Sequence, residues 1–268
     1  MTLQDVMIGE FPVDILIPAI CAGLLVIATH VPLGTQVLQR GIIFIDLAIA
    51  QVAGLGAYLV TMLLGKEAAT LWIQCGAVCL ALLASWLLVA TERLTARYQE
   101  PVIGIVFALA ATAVILLLAK DPQGGQHLSD LLAGQILWIS GAQILYSSIA
   151  TILLLTAMYL MRGRRGAFYS LFAIAITVSV QLVGVYLVFA TLIIPALSTV
   201  AIKSFRWRML ASYATAVTGY GCGLVGSALF DLPTGPLIVW TLAAAGVLSC
   251  SLIRYFSACQ GVGQKVDR

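Results

Sequence analysis

Asp46 is the acid that this sequence isolates. It lies in Gly41-Ile-Ile-Phe-Ile-Asp-Leu-Ala-Ile-Ala-Gln51, a stretch with no other charge. A carboxylate in apolar surroundings is costly, so it usually faces a cavity, a cation, a proton path or a basic partner. Arg40 is the base within reach, six residues earlier, and a plain pairing of the two near an interface is the bland alternative. Gln51 falls about 140° round a helix from Asp46, off its face, where it suits a hydrogen bond between helices. His30 stands beside Pro32 and Gly34 and reads as a loop histidine. His127 lies in a loop with Asp121 and Asp130, where an imidazole suits capture of a cation. The two histidines fall on opposite sides of the apolar run between them and cannot share one site.

The remaining chemistry is excluded by spacing. Cys21, Cys75, Cys79, Cys222, Cys250 and Cys259 form no CxxC pair, so they read as small buried apolar side chains and not as zinc ligands or disulfides. Gly221-Cys-Gly-Leu-Val-Gly226 matches a dinucleotide fingerprint, but such a fingerprint needs a strand before it. Gly219 and Gly223 instead have the spacing that lets membrane helices approach closely. There is no P-loop and no HExxH. The chain is therefore expected to be no enzyme, and any ATP hydrolysis it depends on belongs to another subunit. No resident cofactor is expected.

The elements that must position Asp46 follow from composition. The 268 residues are 62% hydrophobic and 9% charged, with mean hydropathy +1.07. A soluble domain carries about 25% charged residues. Soluble enzymes, nucleic-acid modules and disulfide scaffolds are excluded, and an all-α, polytopic transmembrane bundle is expected. Uncharged runs fall at Ile15–Thr29, Gly41–Leu64, Ala68–Ala90, Pro101–Ala119, Ala142–Met161, Ala167–Ile202, Met209–Phe230 and Pro236–Ile253. The sixth run would make a helix of about 54 Å against a hydrocarbon core of about 30 Å, so two helices turning near Gln181–Gly184 are expected.

That gives about nine spans, with the N-terminus outside and the C-terminus cytoplasmic. All 14 Lys and Arg except Lys66 and Lys120 then lie in cytoplasmic segments, as the positive-inside rule asks. With one helix in the sixth run, the cluster Lys203–Arg208 would land outside. Asp5, Glu10 and Asp14 without a basic leader argue against a cleavable signal. Leu128–Ser140 is amphipathic enough for an interfacial or re-entrant helix. No second domain is visible, so residues 1–268 read as one transmembrane domain.

Several blocks resemble the membrane subunits of metal-type ABC importers, the zinc and manganese uptake permeases. Gln181-Leu-Val-Gly-Val-Tyr-Leu-Val-Phe-Ala-Thr-Leu-Ile-Ile-Pro-Ala-Leu-Ser-Thr-Val200 is similar to that family's Val-Gly…Leu-Ile-Ile-Pro-Ala signature. Phe230-Asp-Leu-Pro-Thr-Gly-Pro236 resembles its Asp-x-Pro-x-Gly-Pro turn. Pro32-Leu-Gly through Arg40 to Asp46 resembles its opening, and Glu100-Pro-Val-Ile-Gly-Ile105 is a fainter fourth block.

The resemblance implies a homodimeric permease in the cell (inner) membrane. An ATP-binding subunit dimer would sit beneath it and an extracytoplasmic solute-binding protein above, with no nucleic-acid partner. Asp46 would be a transient ligand on a divalent cation's path, and His127 an outer capture ligand. Pro195 removes a backbone donor and disfavours helix at Ile194, so a helix break is expected there. Two departures stand out. Ala50 occupies the position where the family commonly has a His, and the segment after the fifth span shrinks to Arg162-Gly-Arg-Arg-Gly166. A permease for a metal chelate, or an ATP-independent carrier using Asp46 as a proton site, are the alternatives.

Overall fold

The computed structural model describes residues 13–65, 69–119, 132, 134, 136–161 and 165–266. These residues form α1 (Val13–Arg40), α2 (Ile45–Leu64), α3 (Thr70–Thr95), α4 (Gln99–Leu118) and α5 (Gly141–Leu160). Then come α6 (Arg165–Val183), α7 (Val185–Ser198), α8 (Phe205–Phe230) and α9 (Thr234–Val266), with short 3-10 turns at Ala96–Tyr98 and Ile136–Trp138. Among the described residues there is no strand. Six of the helices, α1 to α5 and α9, are long and apolar enough to cross a membrane. Residues 128–131, 133 and 135 of the Leu128–Ser140 stretch lie outside the described residues, and the part that is described holds the turn at Ile136–Trp138.

The long uncharged run of residues 167–202 divides at Gly184, whose φ of 82° is open to glycine without strain. The chain reverses there. The Phe168 ring, near the start of α6, lies 4.1 Å from the Arg40 guanidinium. A methyl group added at Gly34 would lie 3.4 Å from Cβ of Ala196, near the end of α7. Gly34 and Arg40 are only about 9 Å apart along α1, whereas an unbroken helix would separate residues 168 and 196 by about 42 Å. Both ends of the pair therefore return to the last two turns of α1. The reversal expected near Gln181–Gly184 falls at Gly184, whereas α7 runs through Pro195 to Ser198 without the break expected there. The Pro195 carbonyl accepts from the hydroxyls of Ser198, Thr199 and Ser212 at 3.0, 2.9 and 3.1 Å.

α1 also differs from its expected extent. It does not stop at Thr29 but continues through Pro32 to Arg40. Proline at 32 leaves the Ala28 carbonyl without its helical donor, and the Tyr213 hydroxyl of α8 donates to that carbonyl instead, at 3.3 Å. A hydroxyl from a neighbouring helix is one of the ways in which a membrane helix tolerates proline.

Glycines set the closest contacts. On α8, methyl groups at Gly219 and Gly223 would lie 2.7 Å from Cα of Leu242 and 2.6 Å from Cα of Ile238, so the small-residue spacing seats α8 on α9. Cys75, Cys79 and Cys222 are exposed and Cys21 and Cys250 half-buried, which corrects the expectation that they are interior. A bundle meant for lipid can turn apolar side chains outward, as α3, α4 and α9 do with Trp86, Leu109 and Trp240.

The α1–α7 contact yields a test. A methyl at Gly34 would sit 1.9 Å from the Leu192 carbonyl oxygen, so Gly34→Ala must push two helix backbones apart. Overpacking of this kind costs about 1–3 kcal/mol. Gly34→Ala should lower the apparent melting temperature of the detergent-purified protein. Gly221→Ala, where nothing lies within 4 Å, should leave it unchanged or higher. Equal behaviour of the two variants would contradict the close approach.

Candidate functional site

The site begins at a helix end. Gly41, with φ of 70°, closes α1. The Ile42 N–H donates to the Val37 carbonyl at 3.4 Å and the Gly41 N–H to the Leu38 carbonyl at 3.3 Å, in a Schellman arrangement. The chain then turns through Phe44 and enters α2, which puts Asp46 in the first turn. Phe44 stacks on Phe189 of α7 with ring centroids 6.2 Å apart, which braces the turn from the other side. Asp46 is 1% exposed. The amides of Asp46 and Leu47 lie close enough to act on its carboxylate, yet neither oxygen has a hydrogen-bond partner. The N-terminal end of α2 supplies favourable partial charge, but no direct counter-charge.

Arg40 does not supply it. Its guanidinium lies over the rings of Phe168 and Tyr169, at 4.1 and 5.9 Å from their centroids, in a cation–π arrangement. The pairing of Arg40 with Asp46 that the sequence left open is not formed.

A second carboxylate comes from α4. The apolar run starts at Pro101 in the sequence, but the helix begins at Gln99 and takes Glu100 into its first turn. Proline is tolerated there because first-turn amides have no helical acceptor. Asp46 is thus not the only acid in a span. One Glu100 oxygen accepts a hydrogen bond from the Ile43 N–H, while the other is buried and unpartnered. Beside it the Gln99 amide donates to the Leu88 carbonyl at 3.0 Å, tying α4 to α3 and leaving the Gln99 side-chain oxygen buried without a donor. The Ser85 hydroxyl of α3 is buried and unpartnered too. The legible signal for Glu100 was its place before a proline at a helix start, where an acid also complements the helix dipole.

Asp46, Ala50, Ala53 and Ala57 recur along one face of α2. Towards the Leu64 end, Ala53, Gly54 and Ala57 line a cavity of about 400 Å³ together with Trp138, Gln143 and Gln181. At the opposite end a cavity of about 520 Å³ is lined by Gln36, Gln39, Arg40, Phe168, Met209 and Tyr213, among others. Asp46 lines neither cavity. Among the described residues no cluster of three or more His, Cys, Asp or Glu side chains occurs.

His30 is not in a loop. It lies inside α1, fully buried. Its Nδ1 lies 3.0 Å from both the Val26 carbonyl oxygen and the Thr29 hydroxyl, and its Nε2 is buried without a partner among the described residues. His127 lies outside the described residues.

Comparison with known proteins adds an independent line. Residues 12–165 and 162–253 match the ABC 3 transport family. A protein of Chlamydia trachomatis named "Probable metal transport system membrane protein" is 22% identical, over 82% of this chain and 86% of that protein. A Haemophilus influenzae protein named "Probable iron transport system membrane protein" is 26% identical over 56% of this chain and 64% of that protein. The solved structure of PsaBC from Streptococcus pneumoniae in complex with Fab superposes with a TM-score of 0.69 at 20% identity, covering 92% of this chain and 93% of that chain. That likeness establishes the shared fold.

The bare carboxylate makes a stability prediction. A buried charge without a partner destabilises the fold that holds it. Asp46→Asn keeps the shape and removes the charge, so the metal-free protein should melt at the same temperature or higher. A fall of several degrees would mean that the carboxylate has a stabilising partner in the native protein.

Proposed function

The chain belongs to the ABC 3 transport family, and on that premise we propose that it is the membrane-spanning subunit of an importer that carries a divalent metal cation into the cytoplasm. The carrying observation is Asp46, a buried carboxylate at the start of a membrane helix whose oxygens have no hydrogen-bond partner among the described residues. The metal-transport names of two relatives favour the same cargo. The chain has no P-loop, so ATP is consumed on a dimer of separate subunits. A second copy of this chain and an extracytoplasmic solute-binding protein complete the assembly in the inner membrane.

The mechanism follows from site chemistry. The binding protein delivers the cation to the outer mouth of the permease. ATP-driven closure of the ATPases rocks the permease between outward- and inward-open states. The cation loses water as it meets Asp46, and the carboxylate replaces part of its hydration. A transport ligand must bind well enough to admit the ion and weakly enough to release it. One carboxylate per copy, on a helix end that a glycine-closed turn can move, meets both demands. The chain itself forms and breaks no covalent bond.

The same reading gives the topology. Nine spans, with the N-terminus outside and the C-terminus cytoplasmic, place Arg162, Arg164, Arg165, Lys203, Arg206 and Arg208 on the inner side. The reversal at Gly184 supports counting α6 and α7 separately, and residues 1–268 then form one permease domain.

Two experiments test this. In a Cys-free background, Arg164→Cys and Arg206→Cys should label from the cytoplasm, and Lys120→Cys and Asp231→Cys from outside. Labelling of positions 164 and 206 from opposite faces would overturn the nine-span arrangement. In cells limited by a chelator, Asp46→Asn should abolish metal-dependent growth while membrane expression stays normal. Growth equal to that of the unsubstituted protein would remove Asp46 from the path.

A further inference from the structure

Five of the buried side-chain atoms that lack a hydrogen-bond partner are oxygens on α2, α3 and α4. They are both oxygens of Asp46, one of Glu100, the Gln99 side-chain carbonyl and the Ser85 hydroxyl. Buried polar atoms are normally paired, so a concentration of bare acceptors on three packed helices calls for a shared occupant. The geometry brings two of the groups to one place. Glu100 accepts from the Ile43 amide, in the turn just before Asp46, three residues along the chain. Ser85 lies three residues before Leu88, whose carbonyl receives the Gln99 amide, so both neutral oxygens border the same seam. Two carboxylates drawn to one turn, with no basic partner among the described residues, repel each other. A divalent cation between them removes the repulsion and satisfies the free oxygens.

We propose that Glu100 is a second ligand beside Asp46 and that the pair, flanked by neutral oxygens, takes a hard, oxygen-preferring divalent cation of the manganese type. This rests on the permease reading and goes beyond it by naming the ligand set and the cargo class. Carboxylate, carbonyl and hydroxyl oxygens suit manganese, whereas zinc gains most from imidazole and thiolate. The α2 face next to Asp46 offers neither, because the residue one turn on is Ala50. The nearest cysteines on the neighbouring α3, Cys75 and Cys79, are exposed on the outside of the chain.

Glu100 also has a structural job through Ile43, and Glu100→Gln separates the two roles. Glutamine keeps the carbonyl oxygen that accepts the Ile43 N–H and loses only the charge. The test is uptake of radioactive manganese by cells expressing the whole transporter, with zinc and magnesium as competitors and with membrane expression and subunit assembly scored in parallel. For the unsubstituted protein, manganese should be carried and zinc should compete no better than unlabelled manganese. Glu100→Gln should raise the manganese concentration for half-maximal uptake about tenfold or more, with assembly unchanged. Glu100→Asp, which restores the charge on a shorter arm, should recover part of that loss.

Uptake by Glu100→Gln equal to the unsubstituted protein at limiting manganese would overturn the second ligand, as would loss of assembly in Glu100→Gln with full uptake in Glu100→Asp. Zinc carried in preference to manganese would overturn the oxygen-only site. If Asp46→Asn stops uptake while Glu100→Gln does not, this inference fails and the permease reading stands. If deleting the chain leaves uptake of every metal unchanged, both fail.

Discussion

A polar group inside an apolar bundle must find its partner within the protein, because lipid offers none. Most of this molecule's local structure answers that demand. Hydroxyls of Thr35, Thr61, Thr177 and Thr191 bond to the carbonyl one turn back in their own helix. Where proline frees a carbonyl on α1, Tyr213 arrives from α8 to donate to it. The end of α8 is closed by Asp231 in the left-handed region, φ 51°, and the Ser227 hydroxyl reaches the Leu232 carbonyl at 2.7 Å. Against that background the bare oxygens of Asp46 and Glu100 are exceptions, and they occur at the starts of α2 and α4, two helices packed on each other.

The positions of these exceptions also follow from backbone rules. A helix start has unpaired amides and a positive dipole end, so it is where a membrane protein holds an acid at least cost. Asp46 and Glu100 both occupy first turns. The glycine closure at Gly41 makes the α1–α2 connection tight enough to bring Ile43 to Glu100. The carboxylate pair is thus a product of where helices begin, and neither acid lies at mid-helix where the cost would be greatest.

The hydropathy pattern located nearly every helix because apolar runs of bilayer length are unmistakable in a chain with 9% charged residues. It also read the reversal near Gln181–Gly184 correctly, since length alone forbade one helix there. The helix bounds at Pro32 and Pro101 differ for one reason: in sequence, proline reads as a boundary. α1 runs past Pro32 because a side chain 181 positions further on, Tyr213, supplies the missing bond, and no local pattern shows that. α4 begins before Pro101, and that two-residue shift moves Glu100 from a loop into the site. His30 was misplaced by the same error. Asp46 is legible because no other charge stands near it in its run; Glu100 carries only the weaker signal of an acid before a proline at a helix start, and becomes its neighbour only through the fold.

The two cavities give the site a direction. One reaches Ala53 and Ala57 from the Leu64 end of α2, and the other reaches Arg40 from the opposite end. Asp46 lies between them in sequence and lines neither. On the Leu64 side the α2 face between cavity and carboxylate is built of alanine, which leaves little side chain to move when a passage opens. On the other side Arg40 stands at the exit with its charge held against aromatic rings instead of against Asp46. On the proposed reading, a cation leaving Asp46 towards that end meets a like charge. On the proposed reading, release in that direction requires Arg40, or the helix end that carries it, to move aside, which would couple opening at that end to the α1–α6 contact at Phe168.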